Sequence, residues 1–521
     1  MKSWAARLLD LALLAVIVAG LGARIAGLPT YVPDSGDEWG NTLTPLRILY
    51  EGGNPGSFLH PSLFYYVTAA VYAVAYAVGY ALGAFDRSLS MADLFVLDER
   101  WFVFAARAVS VASAALAMAA LHALGCRLWN RRSGLTAAAL LALLPLHAVY
   151  SEAVRVDSLF LAVFLFAVGA IVRVLQQADG AAPTSAAVLC GLAIGANYNG
   201  AILLPWLLAA LLLRPTGAGA RECGRALLLA AAAFLVSSPF TLLDAGAFAR
   251  HLAFIVSLSA VEHPGMEGRD ALYYARELWA AAPPLAATVG VASVLTALLG
   301  NRVERFVLTL PLAYAALFSW AVRTKFDRFI LPALALFLLV AAGLPALLAR
   351  RSARGILPAL ATALLLACLV TLWPRAIPVP RHEMLARPDA ALFDWLGAHA
   401  APRSTVLVEV GLVPLLDAMD GPGPLAAALQ RSLARVRPGL DLRFLGASFV
   451  GGVVNYDPAL LTDGRVDYAV LSNRNLQRVG HQCTAYPEVC AFYRQLQEQG
   501  RLVFVTPEGI EPLSVYQVRT E

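Results

Sequence analysis

The chain has 521 residues, of which 59% are hydrophobic and only 14% are charged, and its formal net charge is +5. A soluble protein of this size carries about a quarter charged residues, so the composition excludes an ordinary soluble protein. Most arginines stand in short loops between apolar runs, a pattern typical of the cytoplasmic loops of a membrane protein rather than of a nucleic-acid surface.

The charge is unevenly distributed, and the change in composition marks one domain boundary. Up to about Trp373 the chain consists of Ala/Leu/Val runs broken by short polar loops, and after Pro374 its composition is that of a soluble domain. We predict a transmembrane helical domain over 1–374, with a first outer loop over 28–100 that includes interfacial helices. A soluble α/β domain is predicted over 375–521.

Eleven apolar segments of about 17–25 residues are candidate spans. They are 5–27, 102–125, 134–150, 157–175, 184–197, 200–213, 225–242, 282–300, 306–322, 329–348 and 355–374. The first lacks an Ala-x-Ala cleavage site, so we expect a retained anchor. The pair around 184–213 is split at Asn197-Tyr198-Asn199, and one long helix is the alternative.

The positive-inside rule orients these spans. The basic groups are Arg127, Arg131 and Arg132; Arg214, Arg221 and Arg225; Arg302 and Arg305; and Arg350, Arg351 and Arg354. With the N-terminus inside, all of them face the cytoplasm only if the apolar segment 61–85 does not cross. Its tyrosines at helical spacing favour an interfacial or re-entrant helix, although an ordinary span is the alternative. This topology predicts that the C-terminal domain is outside.

The C-terminal domain alternates strand-like and helix-like runs, which suggests a small α/β unit. The strand-like runs are Thr405–Val410, Val466–Leu471, Arg501–Val505 and Leu513–Val518, and the helix-like runs are Asp389–His399, Pro424–Val436 and Glu488–Gln499. Cys483 and Cys490 both fall here, and an oxidising compartment favours a disulfide between them. No neighbouring Cys or His gives them the spacing of a zinc site.

The first outer loop offers the strongest candidates for chemistry, the adjacent carboxylates Asp37 and Glu38. Helix capping would explain one of them, because a carboxylate is favourable at a helix N-terminus. Capping rarely needs both beside a membrane, where charge is expensive. We predict that Asp37 is a general base that takes a proton from an acceptor hydroxyl. His60, at the end of the same loop, is interpreted as a positioning residue.

Two further outer segments carry charges that need partners. In the second outer loop Glu152 and Asp157 flank Arg155, and an internal salt bridge is as good an interpretation as substrate binding. The turn from Arg323 to Phe329 carries three cations on the outer side, against the positive-inside tendency. Lys325 and Arg328 are therefore candidate ligands of a phosphate, with neutralisation of lipid headgroups as the alternative. Arg107 is another cation on the outer side.

The motifs of nucleotide chemistry are absent from the sequence. It contains no Gly-x-x-x-x-Gly-Lys-Ser/Thr loop and no Gly-x-Gly-x-x-Gly after a strand. A nucleotide-activated sugar would also be in the wrong compartment for an outward-facing site. A sugar on a polyprenyl phosphate would reach such a site through the membrane.

An ordered set of short segments carries a resemblance to a known superfamily. The segments are Gly36 to Glu38, His60 to Tyr66, Ala106 to Ser110, Arg131 to Leu135, Ser151 to Asp157, Gly195 to Gly200 and Lys325 to Pro332. Together, over roughly residues 1–350, they resemble the GT-C superfamily of integral membrane glycosyltransferases. The resemblance is to the protein O-mannosyltransferase and aminoarabinose transferase branches in particular.

The resemblance implies roles for individual residues. It makes Asp37 the catalytic base and points to Lys325 and Arg328 as ligands of the donor phosphate, with Tyr198 also at the substrate. Many relatives have Thr-Lys-Tyr where this chain has Ala196-Asn197-Tyr198, so one expected cation is missing. No Asp-x-Asp stands in the second loop, which argues against the metal-dependent oligosaccharyltransferase branch.

These observations together predict an inverting glycosyltransferase of the cytoplasmic membrane. Its expected partners are membrane lipids, a polyprenyl-phosphate sugar donor and a hydroxyl-bearing acceptor, with no nucleic acid. No cofactor is expected, and a divalent metal remains open. The alternatives are a transporter or flippase for a lipid-linked anionic substrate, which would show internal repeats, and a non-catalytic scaffold.

Overall fold

The structure is a computed structural model. It describes residues 4–28, 36–176, 181–260, 269–351, 355–376, 388–409, 423–436, 440–445, 456–462, 466–473, 476, 483–484, 487–506 and 513–518.

Helices dominate the first three-quarters of the chain. In chain order they are α1 (Trp4–Gly27), α2 (Gly36–Tyr50), α3 (Leu63–Leu82), α4 (Met91–Leu97), α5 (Arg100–Leu128), α6 (Arg131–Leu143), α7 (Pro145–Glu152), α8 (Val156–Gln176), α9 (Ala181–Ala196), α10 (Leu203–Leu213), α11 (Ala220–Ser237), α12 (Phe240–Leu243), α13 (Ala245–Ala260), α14 (Tyr273–Ala281), α15 (Pro283–Leu299), α16 (Arg302–Ala316), α17 (Leu331–Ala349) and α18 (Ile356–Ala376). The remaining helices are α19 (Pro388–His399), α20 (Pro424–Val436), α21 (Ala459–Thr462) and α22 (Pro487–Gln499).

Six helical segments of the described chain are long and apolar enough to cross a membrane. They are Arg7–Ala26, Leu63–Leu82, Arg100–Leu128, Val156–Gln176, Asp327–Ala349 and Ile356–Ala376. Helices α6 and α7 pass the same test as a pair bent by 64°. The predicted class, a mainly α-helical polytopic bundle, is confirmed. The count of about eleven crossings stays a prediction, as does the interfacial role of 61–85, since α3 is long enough to span.

The predicted break near Asn197 is confirmed, and the single long helix is not formed. Helix α9 ends at Ala196, and a 3-10 turn over Tyr198–Ile202 leads into α10. The Asn197 side chain accepts a hydrogen bond from the Asn199 backbone N–H at 3.1 Å, which caps the turn. A Cβ on Gly200 would lie 2.5 Å from the carbonyl carbon of Ala193, so the turn folds back closely onto α9.

The described chain divides into two compact units. The first, here the membrane unit, comprises Met1–Pro29, Gly56–Thr68 and Ala106–Pro380. Its core is formed largely by leucine, alanine and valine from α6, α8 and α17. Among the candidate spans, burial is highest in the segment that contains α17, where 78% of the most apolar stretch is buried, against 22% for α1. Small residues allow close packing between helices, and Gly125 of α5 directly faces Gly134 of α6.

The second unit, here the sheet unit, comprises Thr30–Pro55, Ala69–Ala105 and Arg381–Glu521. Its strands are β1 (Ser404–Glu409), β2 (Leu440–Leu445), β3 (Tyr468–Ser472), β4 (Arg501–Val505) and β5 (Leu513–Gln517). They form one sheet in the order β2-β1-β3-β5-β4. The β1 strand pairs in parallel with β2 and β3, while β5 is antiparallel to β3 and β4. Four of these strands coincide with predicted runs; β2 was not predicted.

Segments of the predicted first outer loop belong to this sheet unit rather than standing alone. Helices α2 and α4 both pack against α20. The Glu51 carboxylate accepts a hydrogen bond from the Leu425 backbone N–H at 3.0 Å, at the start of α20. Arg435 near the end of α20 forms an ion pair with the buried Asp93 of α4 at 2.9 Å. The predicted boundary at 374 stays a prediction, but this unit includes loop segments from before it.

Cys483 and Cys490 are joined by a disulfide in the sheet unit, with their Cα atoms 5.6 Å apart. Cys490 lies in α22, whose buried face contributes Val489, Phe492 and Tyr493 to the core of the unit. The other four cysteines are unpaired thiols, as expected for small hydrophobic residues in or beside membrane helices.

Candidate functional site

The turn that carries Lys325 and Arg328 begins where α16 ends. The helix widens into a π-helical segment over Leu317–Ala321, and the chain then becomes extended at Val322. A helix end leaves backbone carbonyl oxygens without partners. The Lys325 ammonium donates to three of them, those of Phe318 at 3.3 Å, Ser319 at 2.8 Å and Val322 at 2.7 Å.

These contacts bear on the predicted role of Lys325. The side chain is 4% exposed, and its three N–H donors point at carbonyl oxygens of its own chain. A phosphate would have to displace at least one of these bonds to reach the ammonium group. The contacts are those of a helix C-cap, in which a cation also complements the negative end of the helix dipole. A direct contact between Lys325 and substrate stays a prediction.

The rest of this turn is held on two sides by neighbouring segments. On one side it is joined to α13: Thr324 Oγ1 donates to the Leu258 carbonyl at 2.6 Å, and the Arg323 N–H donates to the Ser259 carbonyl at 3.0 Å. The turn is therefore fixed at its first two residues.

On the other side, residues 269–274 hold the middle of the turn. Arg269 donates to the Lys325 carbonyl at 2.7 Å and lies 3.6 Å from the Asp327 carboxylate. The Tyr273 hydroxyl donates to Asp327 at 2.5 Å, and the Tyr274 hydroxyl donates to the Phe326 carbonyl at 3.1 Å. Arg269, Tyr273 and Tyr274 were not predicted from the sequence. They lie two helices before the turn in the sequence, and no local motif links them to it.

The turn brings Arg328 to the end of α7. The Arg328 guanidinium lies 4.1 Å from the centre of the Phe326 ring, which fixes its direction. Helix α7, which carries Tyr150, packs against the Asp327–Ile330 part of the turn, and the Arg155 guanidinium lies 5.7 Å from the centre of the Tyr150 ring. The charged side chains around Tyr150 are Arg155, Asp157, Asp327 and Arg328. We name these five residues the Tyr150 cluster. The structure therefore brings together three predicted site residues from two distant stretches of sequence, Arg155, Asp157 and Arg328.

Two more predicted residues lie beside this cluster. Arg107 is 5% exposed and stands one helical turn before Ser110 in α5. Ser110 Oγ lies 3.4 Å from the Arg155 backbone nitrogen. Glu152 ends α7, shortly after Tyr150. Arg107, Glu152 and Arg155 each take part in polar or electrostatic contacts, as buried charges at a membrane boundary require.

Arg24 positions the end of α7 that carries Tyr150. Pro145 has no N–H, so the helix breaks there and leaves carbonyl oxygens at the end of α6. The Arg24 side chain donates to the Ala142 carbonyl at 2.9 Å, to the Gly20 carbonyl at 2.7 Å and to Ser151 Oγ at 2.7 Å. It is fully buried. The sequence does contain one indication of this role: Arg24 lies inside the predicted span 5–27, where a charge is costly unless it has a partner.

Tyr198 contacts the segment before α3, in which His60 lies. The Tyr198 hydroxyl donates to the Phe58 carbonyl at 3.0 Å, and the Ser62 N–H donates to Ser238 Oγ at 2.9 Å. His60 is half-buried between these two anchors and takes part in a further contact. The structure thus gives Tyr198 a positioning contact; substrate binding by Tyr198 or His60 stays a prediction.

The two carboxylates of the first loop lie in the first turn of α2, which begins at Gly36, and belong to the sheet unit. Glu38 is fully buried and takes part in a contact, while the side chain of Asp37 lies outside the described residues. A first-turn carboxylate is favoured by the helix dipole, which agrees with capping and does not oppose catalysis. Among the described residues, no three His, Cys, Asp or Glu side chains come together as a metal-binding set.

Comparison with known proteins supports the predicted superfamily. A family profile described as dolichyl-phosphate-mannose-protein mannosyltransferase matches residues 100–242. ArnT from Cupriavidus metallidurans bound to undecaprenyl phosphate is similar in structure over 97% of this chain and 98% of that chain, with 15% identity and a TM-score of 0.56. Its apo state gives 14% identity and a TM-score of 0.57 over 97% of each chain.

A more distant structure points to the same fold. The apo oligosaccharyltransferase of Archaeoglobus fulgidus is similar over 97% of this chain and 74% of that chain, with 12% identity and a TM-score of 0.53. A sequence comparison with curated proteins finds no match. The chain is therefore a polytopic membrane protein with the fold of the GT-C glycosyltransferase superfamily, as the ordered motifs predicted.

Proposed function

We propose that the chain transfers a sugar from a polyprenyl-phosphate donor to a hydroxyl group of a lipid, glycan or protein. The transfer takes place at the outer face of the cytoplasmic membrane and inverts the anomeric centre. The observation that carries the proposal is the Tyr150 cluster, in which Arg155 lies 5.7 Å from the Tyr150 ring and the turn that carries Arg328 packs against α7. The fold shared with ArnT, whose structure holds undecaprenyl phosphate, supports the same class of donor.

The reaction divides into a proton transfer and a displacement. Asp37 accepts the proton of the acceptor hydroxyl, and the resulting oxygen attacks the anomeric carbon as the bond from that carbon to the phosphate oxygen breaks. Polyprenyl phosphate leaves with the bonding electron pair. A phosphate leaving group needs charge stabilisation more than a proton. Arg328 and Arg155 therefore bind the phosphate, because guanidinium groups suit phosphate oxygens, while Lys325 holds the turn in place.

Separate measurements of binding and transfer test these roles on the purified enzyme. Asp37→Asn keeps the capping ability of the side chain, since asparagine caps about as well as aspartate, but it removes the proton acceptor. We expect turnover to fall by about two to four orders of magnitude, with donor binding retained. Near-normal transfer would remove Asp37 from the mechanism and direct attention to Glu38 and Asp157.

Arg328→Gln should behave differently, weakening donor binding as well as the rate, because it contacts the phosphate before and during the reaction. Its matched control is Arg323→Gln, which removes a charge from an exposed position of the same turn. Equal donor affinity in Arg328→Gln and Arg323→Gln would contradict the assignment of Arg328.

The rival function is transport of a lipid-linked anionic substrate. It would use the same outward cations but has no need of the Asp37 proton acceptor. The test measures flipping of a fluorescent polyprenyl-phosphate lipid in vesicles that contain the protein. Flipping at the same rate in Asp37→Asn, with no transfer product, would favour the transporter.

A further inference from the structure

A groove of about 700 Å³ lies between α5, α8 and α9 of the membrane unit, away from the Tyr150 cluster. Its walls are apolar and include Ala120, Leu124, Leu165 and Leu189. Small residues leave the space open: a Cβ on Gly169, which lines the groove, would meet no described atom within 4 Å. Within a bilayer, a groove of this kind is filled by hydrocarbon chains, since no protein segment among the described residues covers it.

One end of the groove is polar and positively charged. Arg127 of α5, Arg173 of α8 and Gln176 of α8 all line it, and an Arg127 guanidinium nitrogen lies 3.5 Å from the Gln176 amide oxygen. Within the described part of the chain, neither arginine lies within 4.0 Å of a carboxylate. Two cations beside an apolar groove match the two parts of an anionic lipid, its phosphate and its acyl chains.

We propose that this groove binds a phospholipid with a negatively charged headgroup. Its phosphate lies against Arg127 and Arg173, and one acyl chain lies along α8 past Gly169. The positive-inside rule places these arginines on the cytoplasmic face, so the lipid belongs to the inner leaflet. Anionic lipids are concentrated there, and basic pockets between membrane helices on this side suit their headgroups.

The same geometry separates this lipid from the sugar donor. Asp157 stands in the first turn of α8, and Arg173 stands in its last turn. At a rise of about 1.5 Å for each helical position, the two residues are about 24 Å apart along the helix axis. A phosphate at Arg173 is therefore at the opposite end of α8 from a phosphate at the Tyr150 cluster. The groove is a second lipid site, and its existence does not depend on the proposed transferase activity.

Native mass spectrometry of the delipidated full chain tests the proposal. The protein is titrated separately with dioleoyl phosphatidylglycerol and with dioleoyl phosphatidylcholine, which share acyl chains and differ in charge. We expect one phosphatidylglycerol to be retained at activation energies that remove phosphatidylcholine. In Arg127→Gln/Arg173→Gln this preference should fall by about 30-fold, or about 5-fold for each arginine near the headgroup. Equal retention of both lipids by the wild-type protein would overturn the proposal.

Two controls separate the site from general electrostatic attraction. Arg221→Gln/Arg225→Gln removes two charges from exposed positions in α11, outside the groove, and should leave the preference unchanged. An equal loss in this control would overturn the proposal, because any basic pair would then suffice. A third titration uses decaprenyl phosphate; stronger retention of this isoprenoid than of phosphatidylglycerol would overturn the assignment to a phospholipid.

A variant that fills the groove tests the acyl-chain half of the proposal without changing charge. Gly169→Leu places a side chain in open space, and Gly224→Leu does the same in α11, where a Cβ would also meet no described atom within 4 Å. We expect Gly169→Leu alone to lower phosphatidylglycerol retention, by about 5-fold or more, since a leucine blocks the chain path. Unchanged retention in Gly169→Leu would show that the lipid does not lie along α8.

Discussion

The two units each contain buried charges that are stabilised in opposite ways. In the membrane unit the buried cations Arg24 and Lys325 donate to backbone carbonyl oxygens. In the sheet unit the corresponding group is a buried carboxylate, Glu409 at the end of β1. It accepts hydrogen bonds from the Tyr456 hydroxyl at 2.5 Å and from the Ser472 backbone N–H at 2.9 Å, and also from Tyr493.

The difference follows from the backbone around each charge. Helices that break inside the membrane unit leave carbonyl oxygens without donors, and lipid supplies no water to satisfy them. Strand and helix ends in the sheet unit instead present N–H and hydroxyl donors. A buried charge near a membrane boundary is therefore not by itself a ligand for substrate. Lys325, predicted as a phosphate ligand, and Arg24 both donate to backbone carbonyl oxygens in the structure, and binding of phosphate by Lys325 stays a prediction.

Replacing Arg24 should have the largest effect, because it would leave the Ala142 carbonyl oxygen and Ser151 Oγ without their buried donor. Each unsatisfied group costs about 1–3 kcal/mol, so Arg24→Met should lower the stability of the membrane unit by about 3–5 kcal/mol. Thermal unfolding in detergent measures this change. Arg24→Lys keeps the charge but lacks the planar set of N–H donors of the guanidinium group. It should therefore recover only part of the lost stability. A melting temperature equal to that of the wild-type protein in Arg24→Met would contradict the capping role.

Lys325→Met distinguishes a helix-capping role of Lys325 from a phosphate-binding role. The variant keeps the length of the side chain and removes the donor to three carbonyls, so we expect a loss of about 2–3 kcal/mol in stability. Donor affinity should fall less than in Arg328→Gln. Both quantities are measured on the same preparations, by thermal unfolding and by titration with a polyprenyl-phosphate sugar. Unchanged stability with strongly weakened donor binding would instead support the ligand role predicted from the sequence.

Opening the disulfide should affect the sheet unit alone. A short disulfide-bonded loop contributes about 2–3 kcal/mol to stability, and Cys483→Ser/Cys490→Ser should lower the stability of this unit by that amount while most of the transferase activity remains. Non-reducing peptide mapping first establishes the bond in protein purified without reductant. Two free thiols there would refute the pairing, and lost transfer at unchanged stability would give the loop a catalytic role.

The sequence predicted what depends on local pattern. Apolar length located five of the six helices of the described chain that are long enough to cross a membrane. The polar triplet at Asn197 located the break between α9 and α10, because side-chain capping is a local interaction. The strand β2 was not predicted, since Leu440–Leu445 includes Asp441 and Arg443, two charged residues on one side of an alternating run. Its pairing with β1 stabilises it, and α20 separates these two strands in the sequence.

The site was predictable only in part for a similar reason. Charges at the outer loops predicted Arg155, Asp157 and Arg328 as site residues, because a cation or carboxylate is unusual at those positions, and the structure brings these three into one cluster. The contacts that decide their roles are between residues distant in sequence. Arg269 and Tyr273 hold the Asp327 turn although α15 and α16 lie between them in the sequence, and Lys325 is a cap only because α16 ends where it does. Neither fact is encoded in a motif.

The smallest expected effect concerns the contact between α4 and α20 in the sheet unit. Arg435 is half-exposed, so its ion pair with Asp93 is screened by solvent and should contribute no more than about 1 kcal/mol. Burial alone would raise the pKa of Asp93, but hydrogen bonds from Ser90 and Ser432 and the charge of Arg435 together hold the pKa below its usual value. Because the pKa of Asp93 is lowered in the folded protein, its ionised carboxylate contributes to stability at neutral pH. This contribution is lost as the pH falls below 3.8.

Arg435→Gln should therefore destabilise the sheet unit slightly at pH 7, and the difference from the wild-type protein should vanish at the acid end of a pH series of thermal unfolding curves. Helix α2, which carries Asp37, packs on the same α20, so a small shift of α20 should lower turnover by about 2-fold and leave donor affinity unchanged. The matched control is Arg431→Gln, an exposed arginine one turn earlier in α20. An equal loss of turnover in both variants would mean that surface charge, rather than the contact with Asp93, positions the loop that carries Asp37.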